Sequence, residues 1–293
     1  MPSGPWQRVA WDEVSLEIPA RWSPVRVEER ELAFEEGGEA ALELGWREVG
    51  AAFSFDRPLG DLRRKARRRG AFFVERPLPG GPPAGLEGRG FEWREPGRAA
   101  LGAILFCRAC RKASLLQFPG GAAAAEAEGR AARVLSSFRD HRADGRRAWR
   151  LFDAEAVLPA RWRLRRPRFE AGRYALEFAS RGEALALLRW APAAVLLEEH
   201  PLAEFAARFA GGQGLEFRAC PLGGGEGVEA VERAPGAGLP RLLARLTRRV
   251  RRIRLWHDAA RNRILGVRFE ARREIGDEEM EALCRGWRSH DPT

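Results

Sequence analysis

Polar and apolar positions alternate in several short stretches of this chain, and the alternation predicts strands. Between residues 41 and 46, Leu42, Leu44 and Trp46 fall on one face while Glu43 and Gly45 fall on the other, the pattern of a half-buried antiparallel strand. Residues 14–18 alternate in a similar way, and Pro19 ends the run by pushing the residue before it toward an extended form. Residues 25–27 with 32–34 predict a second strand, and Gly37-Gly38 a turn. The period then changes. From Pro58, the residues Leu59, Leu62 and Ala66 follow helical spacing, basic residues cover the other faces, and Gly70 ends the helix. Residues 72–74, 86–93, 103–108 and 113–118 read as further strands, the last two as a hairpin. Residues 122–138 predict an Ala-rich helix with Ala132, Val134 and Leu135 toward a core, weakened by about 1 kcal/mol at Gly129 relative to Ala.

The same pattern is then written again. Pro19-Ala20-Arg21-Trp22 returns as Pro159-Ala160-Arg161-Trp162, and the aromatic-Asp pair Trp11-Asp12 returns as Phe152-Asp153. Twelve residues separate Phe34 from Trp46, and twelve separate Phe178 from Trp190. Phe138-Arg139-Asp140-His141 closes the first copy and Trp287-Arg288-Ser289-His290 the second. The period, about 140 residues, lies far outside the range of solenoid repeats, so each copy is domain-sized and should hold its own core. The polar stretch 143–148 marks the boundary, which gives domains at 1–143 and 149–293. Residues 235–247 are an insertion in the second copy, with Leu239, Leu242, Leu243 and Leu246 at helical spacing. In each copy the strands outnumber a short helix and a longer closing one. The layer rule then predicts an α+β class, an antiparallel sheet with one side covered by helices.

That order of elements resembles the PsbP-like fold, which is shared with nuclear-import factors that bind the GTPase Ran and with bacterial domains of unknown function. The residues that carry the resemblance are the strand into Pro19-Ala20-Arg21-Trp22, the Phe34-to-Trp46 hairpin, the short helix at 59–69, the strand pair at 104–118 and the closing helix. It covers nearly all of both copies. It implies two tandem PsbP-like repeats that serve as binding and assembly modules without a shared active site, and it carries no functional residue over to this chain.

Composition sharpens the picture in two places. The 293 residues are 45% hydrophobic, enough for two cores, and no run approaches the eighteen or so apolar residues of a membrane helix. The N-terminus lacks the basic and apolar regions of a signal peptide, so the expectation is a soluble, cytoplasmic protein with no membrane partner. Only Lys65 and Lys112 are lysines, and the bias to arginine fits a GC-rich genome and a thermophile. The net charge of +10 is a separate matter and points to an acidic or polyanionic partner.

Candidate chemistry is sparse. Cys107 and Cys110 form a C-x-x-C, half of what a zinc ion needs, while Cys220 and Cys284 form no second pair; the four read as ordinary thiols. His141 and His290 occupy matching tails without a repeated catalytic partner. Trp22, Trp46, Trp162 and Trp190 recur at strand positions, which favours core packing over base stacking. The Gly-rich stretches 79–85 and 222–227 lack the context of a phosphate cradle. The basic runs carry more weight. Arg63, Arg64, Arg67 and Arg68 lie on the short helix, Arg163, Arg165 and Arg166 follow the second Trp motif, and Arg248, Arg249, Arg251 and Arg252 follow the insertion. They suit either acidic patches on a protein or the phosphates of a nucleic acid. The expectation is a non-enzymatic tandem adaptor for a protein partner, with nucleic-acid or other polyanion binding as the alternative. No catalytic residue, metal or cofactor is assigned.

Overall fold

The structure is a computed structural model that describes residues 4–50, 52–120, 124–211, 213–222, 225–234 and 249–291. The leucine-rich insertion at 235–247, Arg248, Gly212, part of the 222–227 loop and the start of the 122–138 helix lie outside the described residues. Two compact units divide the chain, the first running to Ala148 and the second covering Trp149–Asp291.

In the first unit, β1 (Trp6–Trp11) and β2 (Val14–Pro19) form a hairpin whose first turn residue, Asp12, takes φ 60°. β3 (Ser23–Val27), β4 (Glu31–Glu36) and β5 (Glu39–Glu48) then meander. Helix α1 (Asp56–Arg68) carries the chain to the opposite edge. From there β6 (Phe72–Arg76), β7 (Glu87–Glu95), β8 (Arg98–Cys107) and β9 (Lys112–Pro119) return until β9 pairs with β5. The product is a seven-stranded antiparallel sheet in the order β3-β4-β5-β9-β8-β7-β6. Helix α2 (Ala124–Ser137) follows and packs chiefly on β2.

β10 (Arg146–Leu151), which runs from the last residues of the first unit into the second, and β11 (Ala154–Pro159) form the second opening hairpin, with Phe152 at φ 57°. β12 (Arg163–Glu170), β13 (Arg173–Ser180) and β14 (Glu183–Trp190) meander. Two short helices, α3 (Ala193–Glu199) and α4 (Leu202–Phe209), make the crossing. β15 (Arg218–Ala219), β16 (Gly227–Ala234), β17 (Arg249–Asp258) and β18 (Arg263–Ala271) complete a sheet in the order β12-β13-β14-β18-β17-β16-β15. Helix α5 (Asp277–Gly286) leads into β19 (Trp287–Ser289), which pairs with β11. The two seven-stranded sheets share one strand order, element for element.

The helix-covered α+β sheet expected from the sequence is not what forms. Strand residues outnumber helical ones by more than two to one, and the chain is mostly β. The main reason is that strands hide in charged text. β12, Arg-Leu-Arg-Arg-Pro-Arg-Phe-Glu, buries only Leu164 fully, so its alternation is nearly invisible. Residues 25–27 and 32–34, expected to be one strand, belong to β3 and β4, because the polar segment 28–30 turns the chain. β1 was not expected at all. The closing helix of the first unit, which was to cover the sheet, has its main seat on β2.

Local rules explain what does form. In β5, Leu42, Leu44 and Trp46 are buried, as the alternation predicts. Helix α1 buries Leu59 and Ala66 and half-buries Leu62, over a cluster with Phe91 and Ile104. Asp56 in its first turn and Lys65, Arg67 and Arg68 in its last suit the helix dipole. Its end is a Schellman turn: Gly70, at φ 68°, donates to Arg67 O at 3.1 Å, and Ala71 donates to Ala66 O at 2.9 Å. Gly102 is fixed by a neighbour across the ladder, since a Cβ there would collide with the Phe91 ring. Each sheet also has a modified outer strand. β3 and β12 both carry a register shift, at Val25 and Arg165, with Pro24 and Pro167 beside it.

Candidate functional site

Residues of the four recurring tryptophans come first, because they could have stacked a base. Trp22, Trp46, Trp162 and Trp190 are all buried, and Trp22 Nε1 donates to Glu36 Oε2 at 2.9 Å. They are core anchors. The repeated Pro-Ala-Arg-Trp is a tight turn after β2 and after β11, in which Trp22 N donates to Pro19 O at 3.0 Å and Trp162 N to Pro159 O at 3.1 Å.

The arginine runs separate into different kinds. On α1, Arg63 reaches Glu75 at 2.5 Å and lies over the Phe73 ring, and Arg64 pairs with Asp61. Arg67 and Arg68 are exposed and have no ion pair among the described residues. On β12, Arg163, Arg165 and Arg166 are likewise exposed without a carboxylate partner among the described residues. β17 is another matter. Arg249 is exposed and Arg251 is paired with Glu232 at 2.6 Å. Arg252, expected on a binding surface, is only 6% exposed and is consumed internally. Its Nε and Nη2 donate to the two oxygens of Glu229 at 2.7 and 2.8 Å, its Nη1 donates to Ile275 O at 2.8 Å, and it also holds Asp277 on α5. The bond to Glu229 holds the guanidinium charged, and the same residue bonds Arg254 at 2.9 Å. A charge run in sequence gives no sign of such a partner. Nor do the runs of the second unit converge, for β13, β14 and β18 stand between β12 and β17, a gap of about 19 Å at ordinary strand spacing.

A cleft of about 560 Å³ opens in the first unit, lined by Trp22, Glu36, Arg76, Glu92, Arg94 and Arg130 among others. Two of its carboxylates, Glu36 and Glu92, are matched by arginines. Glu92 takes Arg76 at 3.0 Å and Arg94, and Glu36 takes Arg21 at 2.5 Å.

A concentration of reactive side chains lies at the end of the β8–β9 hairpin. Cys107 is the last residue of β8 and is buried; Cys110 lies in the turn and is half-buried. Arg111 closes the turn at φ 54°, and its carbonyl accepts from Val49 N at 2.8 Å. After α2 the chain is pinned to β2 by paired backbone bonds between Ser15 and Arg139, each 2.8 Å. That bridge delivers the next two residues to the thiols. Cys110 Sγ donates to Asp140 Oδ2 at 2.7 Å, His141 Nδ1 lies 2.9 Å from Asp140 Oδ1, and Cys107 Sγ lies 3.9 Å from His141 Nδ1. Asp140 is 6% exposed while His141 faces solvent. Burial, with the Asp140 carboxylate beside it, pushes the Cys110 thiol well up. Sequence reading took the cysteines as ordinary thiols because their partners lie about thirty residues further along; the signal was present in the repeated tail that holds Asp140-His141.

The second unit has the same corner with other chemistry. Its β17–β18 hairpin also closes at φ 54°, on Asn262. Counting from the strand ends, Asp258 stands where Cys107 does, Arg261 where Cys110 does, and Ser289-His290 where Asp140-His141 do. There Ser289 Oγ and Arg261 both bond Asp258 Oδ2, and Arg261 also reaches Asp291 at 3.8 Å. The opening hairpins correct one match made on sequence. The left-handed turn residues put Asp12 level with Phe152, so Glu13, not Asp12, is the counterpart of Asp153. Accordingly Lys112 pairs with Glu13, and Arg263 with Asp153.

No protein-family model matches the chain, and no curated protein does. Among solved structures, a protein of Bacteroides thetaiotaomicron is similar at 14% identity over 49% of this chain and 49% of its own, with a TM-score of 0.29. The T6SS immunity protein TplEi of Pseudomonas aeruginosa is similar at 11% identity. In complex with "L" peptide it covers 100% of both chains with a TM-score of 0.37, and without ligand 98% of both with 0.42.

Proposed function

We propose that this chain is a non-enzymatic binding module, made by tandem duplication of one β-rich unit, that takes an acidic extended segment of a protein partner on its first unit. The observation that carries the reading is the pairing of α1 with β6. The last turn of α1 presents Arg67 and Arg68 without ion-pair partners among the described residues, and the Schellman turn at Gly70 leads straight into β6. β6 ends the sheet, so its outer row of N–H and C=O groups has no strand beside it among the described residues, and its Phe72 is 63% exposed. An added strand gains backbone hydrogen bonds there, and acidic side chains on it gain the arginines. The identical strand order of the two sheets and the matching left-handed turns support the duplication. The pairing of Glu36 and Glu92 with arginines in the cleft supports a role without catalysis. Four unpaired cysteines fit a reducing, cytoplasmic setting. No helix among the described residues is long and apolar enough to cross a membrane.

The test compares the native chain with Arg67→Glu/Arg68→Glu and with Val74→Pro in pull-downs from the source lysate. A stoichiometric protein held by the native chain and lost by both variants supports the reading. Loss of the partner by neither variant overturns it, as does retention of nucleic acid with binding that falls steeply between about 50 and 200 mM salt.

A further inference from the structure

The β8–β9 corner does something that partner binding does not require. We propose that Cys107, Cys110, Asp140 and His141 form a site for a single zinc ion. The four side chains each offer one ligand atom, and these atoms all lie within 4.8 Å of one another. Two thiols, an imidazole and a carboxylate are the donor set of a four-coordinate zinc centre, and the thiols favour zinc over magnesium or calcium. In a tetrahedron with bonds of about 2.0–2.3 Å, neighbouring ligand atoms sit roughly 3.3–3.8 Å apart. The contacts here bracket that range: 3.9 Å from Cys107 Sγ to His141 Nδ1, and 2.7 Å from Cys110 Sγ to Asp140 Oδ2. The backbone beneath is held from three directions, by the β8–β9 ladder, by the Val49 bond to Arg111 and by the Ser15–Arg139 bridge. The exposed edge of His141 leaves an access route for the ion.

The second unit supplies an independent argument. In its matching corner a covalent cation, the Arg261 guanidinium, sits between Asp258 and Asp291. In the first unit Arg261 is replaced by Cys110, and no arginine or lysine bonds the buried Asp140 among the described residues. The first corner thus has soft donors and a carboxylate where the second has its own positive charge.

The full chain, reduced and stripped with a chelator, is titrated with cobalt(II), which reports on the site directly. The expected result is one cobalt per chain, with thiolate-to-cobalt charge transfer in the near ultraviolet, tetrahedral bands in the red, and displacement of both by one equivalent of zinc. Cys110→Ser, at a half-buried turn position, and His141→Gln, at an exposed one, each abolish or shift these bands. Cys220→Ser leaves them unchanged. Absence of the bands in the reduced native chain overturns the proposal, whatever the variants do. So does their survival in a Cys110→Ser/His141→Gln double variant, or mass spectrometry showing that zinc is excluded by a Cys107–Cys110 disulfide in chain purified with reductant. Failure of the strand-addition test leaves this result untouched, and the reverse holds too.

Discussion

The β8–β9 hairpin of the first unit and the β17–β18 hairpin of the second are the same object in backbone and opposites in chemistry. Both are long ladders closed by a four-residue turn whose last member is left-handed. β8 is apolar from Ala99 to Cys107, with Ala103 facing Gly90 across the ladder. β17 puts Arg254 opposite Glu229 at the same place and buries both Arg252 and Arg254. Where one strand meets its outer neighbour through small residues, the other meets it through an ion network. The ladder and the turn dictate position; they leave open whether a position is filled by bulk, charge or a metal ligand.

Removing one member of the ion network separates the two hairpins most sharply. Glu229→Ala strands two buried guanidinium groups and should cost about 3–5 kcal/mol, read from chemical denaturation. A cost near zero would mean that β17 tolerates free charge as a surface strand does. Next comes zinc. At a free concentration of about 100 Kd it should stabilise the first unit by roughly 2.7 kcal/mol, and Cys110→Ser should remove the gain. A gain that persists in the variant would erase the distinction between the corners. Gly102→Ala, which drives a methyl group into Phe91, should cost about 1–3 kcal/mol. The matching residue of β17 is Ile253, so no such space is needed there. Arg67→Glu/Arg68→Glu should change stability by less than about 0.5 kcal/mol while removing the partner, which separates binding charge from folding charge.

The smallest effect concerns Cys284, whose thiol burial pushes up to about 12. The fold keeps this thiol protonated above pH 8.5 while the unfolded chain releases the proton, so stability should fall slightly as pH rises past that point. A thiol-reactive dye at pH 8 should label the half-buried Cys220 before the buried Cys284.

Much of this was legible in sequence, and the reasons for the rest are physical. Leu42, Leu44 and Trp46 reveal β5 because one of its faces is dry and the other wet. Leu59, Leu62 and Ala66 reveal α1 for the same reason. The tail match of Asp140-His141 to Ser289-His290 holds in the register of both units. Strands such as β12 escaped because an outer strand needs few apolar residues, and its arginines read as a solvated run. Arg252 was misplaced because burial of a charge depends on its partner, and Glu229 lies on a different strand. The metal-binding set escaped because half of it comes from the β8 turn and half from beyond α2.

The prolines beside the register shifts in β3 and β12 have a consequence for how these molecules crowd. Pro24 and Pro167 lack the N–H that a neighbouring chain would need, and the bulge next to each bends the ladder out of line. Lateral polymerisation is thereby closed at one margin of each sheet. At the other margin β15 is two residues long and β6 five, enough to seat a single guest and too short to seed a fibril.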